Sequence, residues 1–243
     1  MIASMKIRRG LRGPAVDPNQ PPRIGELYWS ADVQLIEAEA NDPISQWGGE
    51  YGQISDPSLQ ETLANQATYN PDMDGTGTPS LIFDGGQWYI LPDALKLRAQ
   101  EQPLTIYGVV NRATTGAAAY ISWAGDEAND REFYLFQTTS DRAGIAFGST
   151  EISSVGDLPN GRHIITGRND TDRQKLYVGR DEIVDVSTGS GGLDKNAEAM
   201  IGDRAEANFR LTGQLQAFHV YLGAHDEGAR AEVWDWLEPR WNL

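Results

Sequence analysis

Residues 161–178 read GRHIITGRNDTDRQKLYV, and the fold class follows from how this stretch punctuates itself. An apolar run, His163-Ile164-Ile165-Thr166, precedes Asn169-Asp170-Thr171-Asp172, and a second run, Leu176-Tyr177-Val178, follows it. Ile, Val, Thr and Tyr suit a pleated, half-buried surface. Asn and Asp tolerate left-handed backbone and bond their own main chain, which makes 169–172 a hairpin loop between two antiparallel strands.

Working outward, short apolar or alternating runs of the same kind recur at 182–186, 199–201 and 213–222 on one side. On the other they fall at 26–31, 80–83, 88–91, 105–111, 118–123, 133–138 and 143–147. About a dozen short strands between turn signals, with Gly 26 and Pro 12 as punctuation, predict an all-β fold of two stacked antiparallel sheets. The period changes only at the C-terminus. Asp226 is placed to cap a helix, and Ala229, Val233 and Leu237 fall at steps of four before Pro239. A short helix docked by Trp234, Trp236 and Trp241 is therefore expected to close the chain.

Residues 1–25 read differently. Lys6, Arg8, Arg9, Arg12 and Arg23 face one acid, Asp17, and the stretch 14–22 is rich in proline. This predicts an extended basic arm followed by a sandwich over 26–243. Removing the arm's five bases and one acid from the totals of 20 and 35 leaves 15 and 34, so the body carries −19 against −15 for the whole chain. Such a surface opposes generic nucleic-acid binding, which needs a surplus of Lys and Arg to displace counterions from phosphates. Cysteine is absent, which excludes disulfides and thiolate zinc sites. No run reaches the roughly 18 apolar residues of a membrane span, and no apolar segment follows the N-terminal bases as in a secretory signal.

Three landmarks in order, Trp29-Ser30-Ala31-Asp32, Ile44-Ser45-Gln46-Trp47 and Leu81-Ile82-Phe83-Asp84-Gly85-Gly86, resemble the opening of concanavalin A-like (laminin G-like) lectin-fold domains of phage and bacterial surface proteins. Gly161-Arg162-His163-Ile164, Lys175-Leu176-Tyr177-Val178-Gly179, Ile201-Gly202 and Leu211-Thr212-Gly213-Gln214-Leu215 extend the likeness to the closing helix. The resemblance implies a jelly-roll sandwich and a habit of binding glycans or proteins, and it transfers no catalytic residue. One departure is Gly48-Gly49-Glu50-Tyr51-Gly52, which stands where that family carries D-x-S-G-N-G, so no ligand loop carries over there. In the arm, Lys6-Ile7-Arg8-Arg9-Gly10 with Ile24-Gly25-Glu26-Leu27-Tyr28 is similar to the N-terminal attachment region of phage tail-fibre proteins. That likeness implies a virion protein made in the host cytoplasm without a signal peptide. It would bind other virion proteins through Lys6, Arg8, Arg9 and Arg12 and act in many copies or as a homo-oligomer, without inserting into a membrane.

Four residues carry the chemistry expected of a glycan site. Trp88 and Tyr89 follow Asp84-Gly85-Gly86-Gln87, and Trp123 precedes Gly125-Asp126. Each pairing offers an aromatic face for sugar C–H surfaces beside polar groups for hydroxyls. Core filling is the competing reading of the same rings. Asn70-Pro71-Asp72-Met73-Asp74-Gly75 fits half of a calcium loop through Asn70, Asp72 and Asp74, although Leu81 stands where the bidentate acid belongs. An Asx-rich turn is the plainer expectation there, and no other cofactor is indicated.

The nearest approach to paired hydrolytic acids is Asp181-Glu182-Ile183-Val184-Asp185. Strict alternation groups Asp181 with Asp185 and leaves Glu182 alone on the other face. His163, His219 and His225 join no nucleophile elbow or zinc motif and read as satisfied histidines. The expectation is therefore a non-catalytic binding or display protein of a virion. A stand-alone carbohydrate-binding module is the alternative, with a degenerate glycoside hydrolase behind it.

Overall fold

The computed structural model describes residues 20–72, 75–95, 103–111, 116–123, 133–147, 150–153, 157–170, 173–187, 199–203 and 209–243. Among them are sixteen strands. The first eight are β1 (Glu26–Asp32), β2 (Gln46–Trp47), β3 (Ser58–Leu59), β4 (Thr68–Asn70), β5 (Ser80–Asp84), β6 (Tyr89–Ile90), β7 (Leu104–Asn111) and β8 (Ala118–Trp123). The second eight are β9 (Phe133–Gln137), β10 (Ala143–Phe147), β11 (Thr150–Ser153), β12 (Arg162–Asp170), β13 (Arg173–Val178), β14 (Asp181–Ser187), β15 (Ala199–Ile201) and β16 (Thr212–Leu222). One helix, α1 (Glu227–Trp241), follows.

The strands form two antiparallel sheets, the expected all-β sandwich. One runs β14-β13-β12-β7-β16-β5-β4, with β1 also paired to β16, and the other runs β11-β10-β9-β8-β15-β6-β3-β2. The hairpin read first from the sequence is present with a tighter connection. Asn169 and Asp170 belong to β12 and pair with Gln174 and Arg173, so only residues 171 and 172 separate the strands.

The two sheets meet over side chains set by period-two alternation. Along β12, Ile165 and Gly167 face the second sheet while Thr166 faces α1. A Cβ on Gly167 would lie 2.5 Å from Leu135 Cδ2 of β9, so the glycine is what admits that leucine between the layers. Phe218 of β16 meets Trp47 of β2 edge to face at 6.1 Å, and Phe83 of β5 meets Tyr89 of β6 at 6.1 Å. Trp29 and Trp47, the first two landmarks, are 0% and 1% exposed. Burying about 200 Å² of aromatic surface contributes roughly 5 kcal/mol each as an upper estimate. That burial explains why tryptophan holds both positions.

The segment 48–54 is built around Trp29. Gly48 sits at φ +98, and a Cβ there would fall 2.3 Å from Trp29 Cζ2. The loop then closes the free edge of β1. Gly49 N donates to Ser30 O at 2.7 Å, and Gln53 N and Ile54 N donate to Tyr28 O at 3.0 Å. An exposed strand edge invites pairing with another chain, and here it is covered.

Helix α1 lies across the outer face of the first sheet. Asp226 caps it as expected, its Oδ1 accepting from Ala229 N at 2.9 Å. The buried stripe is Arg230, Val233, Trp234, Leu237 and Trp241; Val233 and Leu237 lie where the sequence put them, with Arg230 buried in place of the half-buried Ala229. Trp234 Nε1 donates to Thr166 Oγ1 of β12 at 3.1 Å, and Trp236 packs edge-on against His219 of β16 at 5.2 Å. Pro239, expected to end the helix, lies inside it. Its missing N–H costs one main-chain bond, while the turn it interrupts holds two anchors. Arg240 pairs with buried Asp32 at 2.7 Å, and Trp241 O accepts from Arg162 at 2.7 Å.

The end of the Pro-rich leader already belongs to this packing. Pro21 and Pro22 are buried, and Pro22 O accepts from Tyr221 OH of β16 at 3.1 Å. Tyr221 also packs against His225 and Tyr107 on the helix side of the sheet. The remainder of the arm, with Lys6, Arg8, Arg9 and Arg12, lies outside the described residues.

Candidate functional site: a cleft on the open sheet

Helix α1 covers the outer face of the first sheet, and among the described residues no helix covers the outer face of the second. Register across it is continuous. Gln46 pairs with Leu59, Leu59 with Ile90, Ile90 with Met200, Met200 with Ser122, Ser122 with Tyr134, and Tyr134 with Ala146. At the β8–β10 end, Tyr134, Phe136 and Ala146 are buried in a second small cluster with Phe209. The segment carrying Phe209 is tied down by Ala119 N donating to Phe209 O at 2.7 Å and Leu211 N to Gly202 O at 2.9 Å. At the β3–β6 end the same face is open, and Leu59 is 42% exposed.

A cleft of about 500 Å³ lies there, floored by Leu59 and Ile90 and walled by Trp88, with Gln60, Glu61 and Asp93 among its polar lining. Its volume falls within the roughly 300–1,000 Å³ of small-molecule sites. Alternation decides which aromatic reaches it. Trp88 and Ile90 turn outward, whereas Tyr89 between them is 0% exposed and donates its OH to Ile44 O at 2.7 Å. The neighbours Trp88 and Tyr89, grouped as one glycan-binding pair by the sequence, therefore part: one lines the cleft and the other fills the core.

The Trp88 main chain is held from both sides. Trp88 N donates to Asn65 O at 3.2 Å, and Trp88 O accepts from Gln60 Nε2 at 2.8 Å. Gln60 is itself fixed, because its Oε1 accepts from Thr62 N at 3.0 Å and its own carbonyl accepts from Gln66 Nε2 at 2.9 Å. An aromatic wall fixed before binding loses little freedom on contact, which favours affinity. Sequence reasoning missed Leu59, Gln60, Ile90, Glu61 and Asp93. The strand β3 has only two residues, too few to show a period, so no signal marked Leu59 and Gln60 as neighbours of Trp88.

The other expected residues fall elsewhere. Trp123 ends β8, but its side chain and the whole of Asp126 lie outside the described residues. Asn70 and Asp72 form turns: Asn70 Oδ1 accepts from Asp72 N at 3.0 Å, and Asp72 Oδ1 accepts from Gly77 N at 2.7 Å. Asp74 is outside the described residues, and among the described ones no three His, Asp or Glu side chains gather as metal ligands.

On β14 a bulge changes which acids share a face. Lys175 pairs with Asp185 but Tyr177 pairs with Glu182, so Glu182 joins Asp185, and the alternation that grouped Asp181 with Asp185 is broken between them. Lys175 Nζ bridges the two acids at 2.8 and 3.0 Å, and Arg173 holds Asp185 bidentately. The hydrogen bond from Lys175 holds Glu182 below the usual carboxylate range, and those from Arg173 and Lys175 do the same for Asp185 against some desolvation. Neither carboxyl is poised to give a proton, which glycoside hydrolysis requires of one of its pair.

All three histidines are buried, each with a polar neighbour at Nδ1. Ser30 Oγ lies 3.1 Å from His219 Nδ1, and Tyr107 OH lies 2.9 Å from His225 Nδ1. His163 is 6% exposed with Nδ1 3.1 Å from Gly161 O. Among the described residues no helix is long and apolar enough to cross a membrane.

The fold is a two-sheet antiparallel β-sandwich of lectin-like architecture. Solved structures with the same architecture include the CBM40 module of the Ruminococcus gnavus IT-sialidase, at 16% identity and TM-score 0.52 over 63% of this chain and 94% of that one. Domain 4 of AbnA, a GH43 extracellular arabinanase of Geobacillus stearothermophilus solved in complex with arabinotriose, matches at 16% identity and TM-score 0.52 over 70% and 81%. A Trypanosoma rangeli sialidase in complex with sialic acid matches at 12% identity and TM-score 0.59, over 93% of this chain but only 35% of that chain. These likenesses concern the fold. No protein-family model matches the sequence, and no curated protein matches it.

Proposed function

We propose that this chain is a non-catalytic glycan-binding sandwich, displayed on a virion, that takes an oligosaccharide at the Trp88 cleft. The observation that carries the reading is the cleft itself: a main-chain-pinned tryptophan beside an apolar floor, with two carboxylates in the lining. Sugars present one C–H face and a ring of hydroxyls, and this lining matches both. Carbohydrate-binding modules among the fold neighbours support it, one of them solved with sialyllactose. The ion-paired state of Glu182 and Asp185 speaks against hydrolysis at that strand. A glycan array probed with the intact chain tests the reading. Binding that vanishes in Trp88→Ala supports it, and an array silent for the wild type overturns it.

Display on a particle is supported by the sign contrast between the basic residues Lys6, Arg8, Arg9 and Arg12 and a body at −19. Opposite charge steers one subunit onto its neighbour, and many weakly binding copies gain through avidity. Replacing those four residues with alanine is expected to abolish incorporation into particles while leaving glycan binding in solution intact. Unchanged incorporation removes the anchoring role.

A further inference from the structure

The Trp88 cleft is a trough with a direction, set by the register of β2, β3 and β6. Gln46 pairs with Leu59 and Leu59 with Ile90, and directly paired residues of antiparallel strands turn their side chains to the same face. Their chain neighbours Trp47, Ser58 and Tyr89 are all buried, so Gln46, Leu59 and Ile90 form one outward row across the strands. Trp88 stands two residues before Ile90, on one flank of the row. Pro57 and Pro92 lie two residues from Leu59 and Ile90 in the other direction, and Trp88 and both prolines line the cleft. Exposure is graded along the row. Met200, which follows Ile90 in the register, is 6% exposed, Ile90 is half-buried, Leu59 is 42% exposed, and Gln46 is exposed on β2 at the end of the sheet.

Resting on the reading of this cleft as a glycan site, we infer that it takes an oligosaccharide laid across the strands. One sugar unit sits over Ile90 against Trp88, the next sits over Leu59, and Gln46 is the polar contact of that second unit. Neighbouring strands lie about 4.8 Å apart, so the three positions span roughly 10 Å, enough for two linked sugar rings. With Trp88 on one flank and the two prolines on the other, a longer chain extends across the strands and out past Gln46. The Gln46 amide has no hydrogen-bond partner among the described residues, and an amide offers both a donor and an acceptor to sugar hydroxyls. Gln60 differs, because its Nε2 is committed to Trp88 O and its Oε1 to Thr62 N. It braces the wall, and Gln46 reads the ligand.

The test titrates the intact chain with ladders of increasing chain length: malto-, cello-, xylo- and arabino-oligosaccharides beginning at the single sugar, and galactose, lactose and sialyllactose. In a ladder that binds, the two-unit probe is expected to bind about tenfold tighter than the one-unit probe, with smaller gains beyond. In Gln46→Ala the affinity for the two-unit probe should fall about fivefold, the worth of one net hydrogen bond. Affinity for the one-unit probe and the denaturant midpoint should not move, since Gln46 is exposed. Equal binding of one and two units, a two-unit affinity untouched by Gln46→Ala, or an equal fall for both probes would each overturn the inference and leave glycan binding standing. Silence of the wild type on every ladder and on the array would sink both.

Discussion

Asp32 and Arg240, 208 residues apart in sequence, meet at 2.7 Å beneath the last turn of α1. Asp32 closes β1, is 0% exposed, and also accepts from Gln34 N at 2.8 Å, while Gln34 Nε2 donates to Arg240 O at 3.1 Å. Burial pushes the Asp32 carboxyl up, and the Arg240 charge works against that shift. The pair ties the first strand to the end of the chain.

Removing one partner leaves a buried charge without compensation. Arg240→Ala is expected to cost about 3 kcal/mol, read as a lowered urea midpoint at unchanged slope. The double variant Asp32→Asn, Arg240→Gln should cost less than the two single variants summed, because no bare charge remains. Additive losses would show that the ion pair is not what the two residues share.

Trp88 and Tyr89 should separate in experiment as they do in space. Trp88→Ala is expected to leave the denaturant midpoint nearly unchanged and to abolish glycan binding. Tyr89→Phe should keep binding and lower stability by about 1 kcal/mol through loss of its bond to Ile44 O. Paired calorimetry and denaturation on both variants check this, and the reverse pattern would remove Trp88 from the site.

Gly48 and Gly75 isolate two costs of a side chain. Both have positive φ, +98 and +73, but a Cβ at Gly48 would strike Trp29, whereas a Cβ at Gly75 would meet nothing within 4 Å among the described residues beyond its chain neighbours. Gly75→Ala is expected to cost about 1 kcal/mol from backbone strain alone. Gly48→Ala should exceed that by roughly 1–3 kcal/mol through overpacking against a buried ring. Equal losses in thermal or chemical unfolding would show that Trp29 moves aside freely.

Stability should fall with acidification below pH 6.5. Desolvation lowers His219 to about 3 and His225 to about 4 from 6.5. Between those values and 6.5 the unfolded chain binds more protons than the folded one, so stability rises with pH. The contribution is full above 6.5 and is lost as pH falls toward the folded values. Each histidine adds a slope of up to about 1.4 kcal/mol per pH unit in that window. Asp32 and Glu50, both raised by burial, Glu50 to about 7, contribute with the opposite sign and offset part of the histidine slope above pH 4.5. Urea unfolding at pH 7, 6 and 5 should show the decline, and His225→Gln should flatten it. A pH profile unchanged by His225→Gln would mean that His225 is solvated in the native state.

Much of the sandwich could be read from the chain because alternation is written in strands of five residues or more. β7, β8, β10 and β16 lie within a residue of where the sequence put them, and the Asp226 cap is as expected. β2, β3 and β4 escaped because two or three residues carry no measurable period. They are held by partners, as Ser58 is by its hydroxyl donating to Trp47 O. Pro239 misled because its propensity was read without Arg240 and Trp241, whose tertiary contacts outweigh one lost bond. Trp88 was legible as an aromatic at a loop end. Its cleft was not, because Leu59 and Gln60 come to it from about thirty residues away.

The roof that α1 makes over one sheet gives the molecule a polarity. The chain enters the packed body at residues 20–22 on the roofed side, where Pro22 meets Tyr221, and the Trp88 cleft opens from the opposite layer. Residues 20–22 and the opening of the cleft therefore lie on opposite layers of the sandwich.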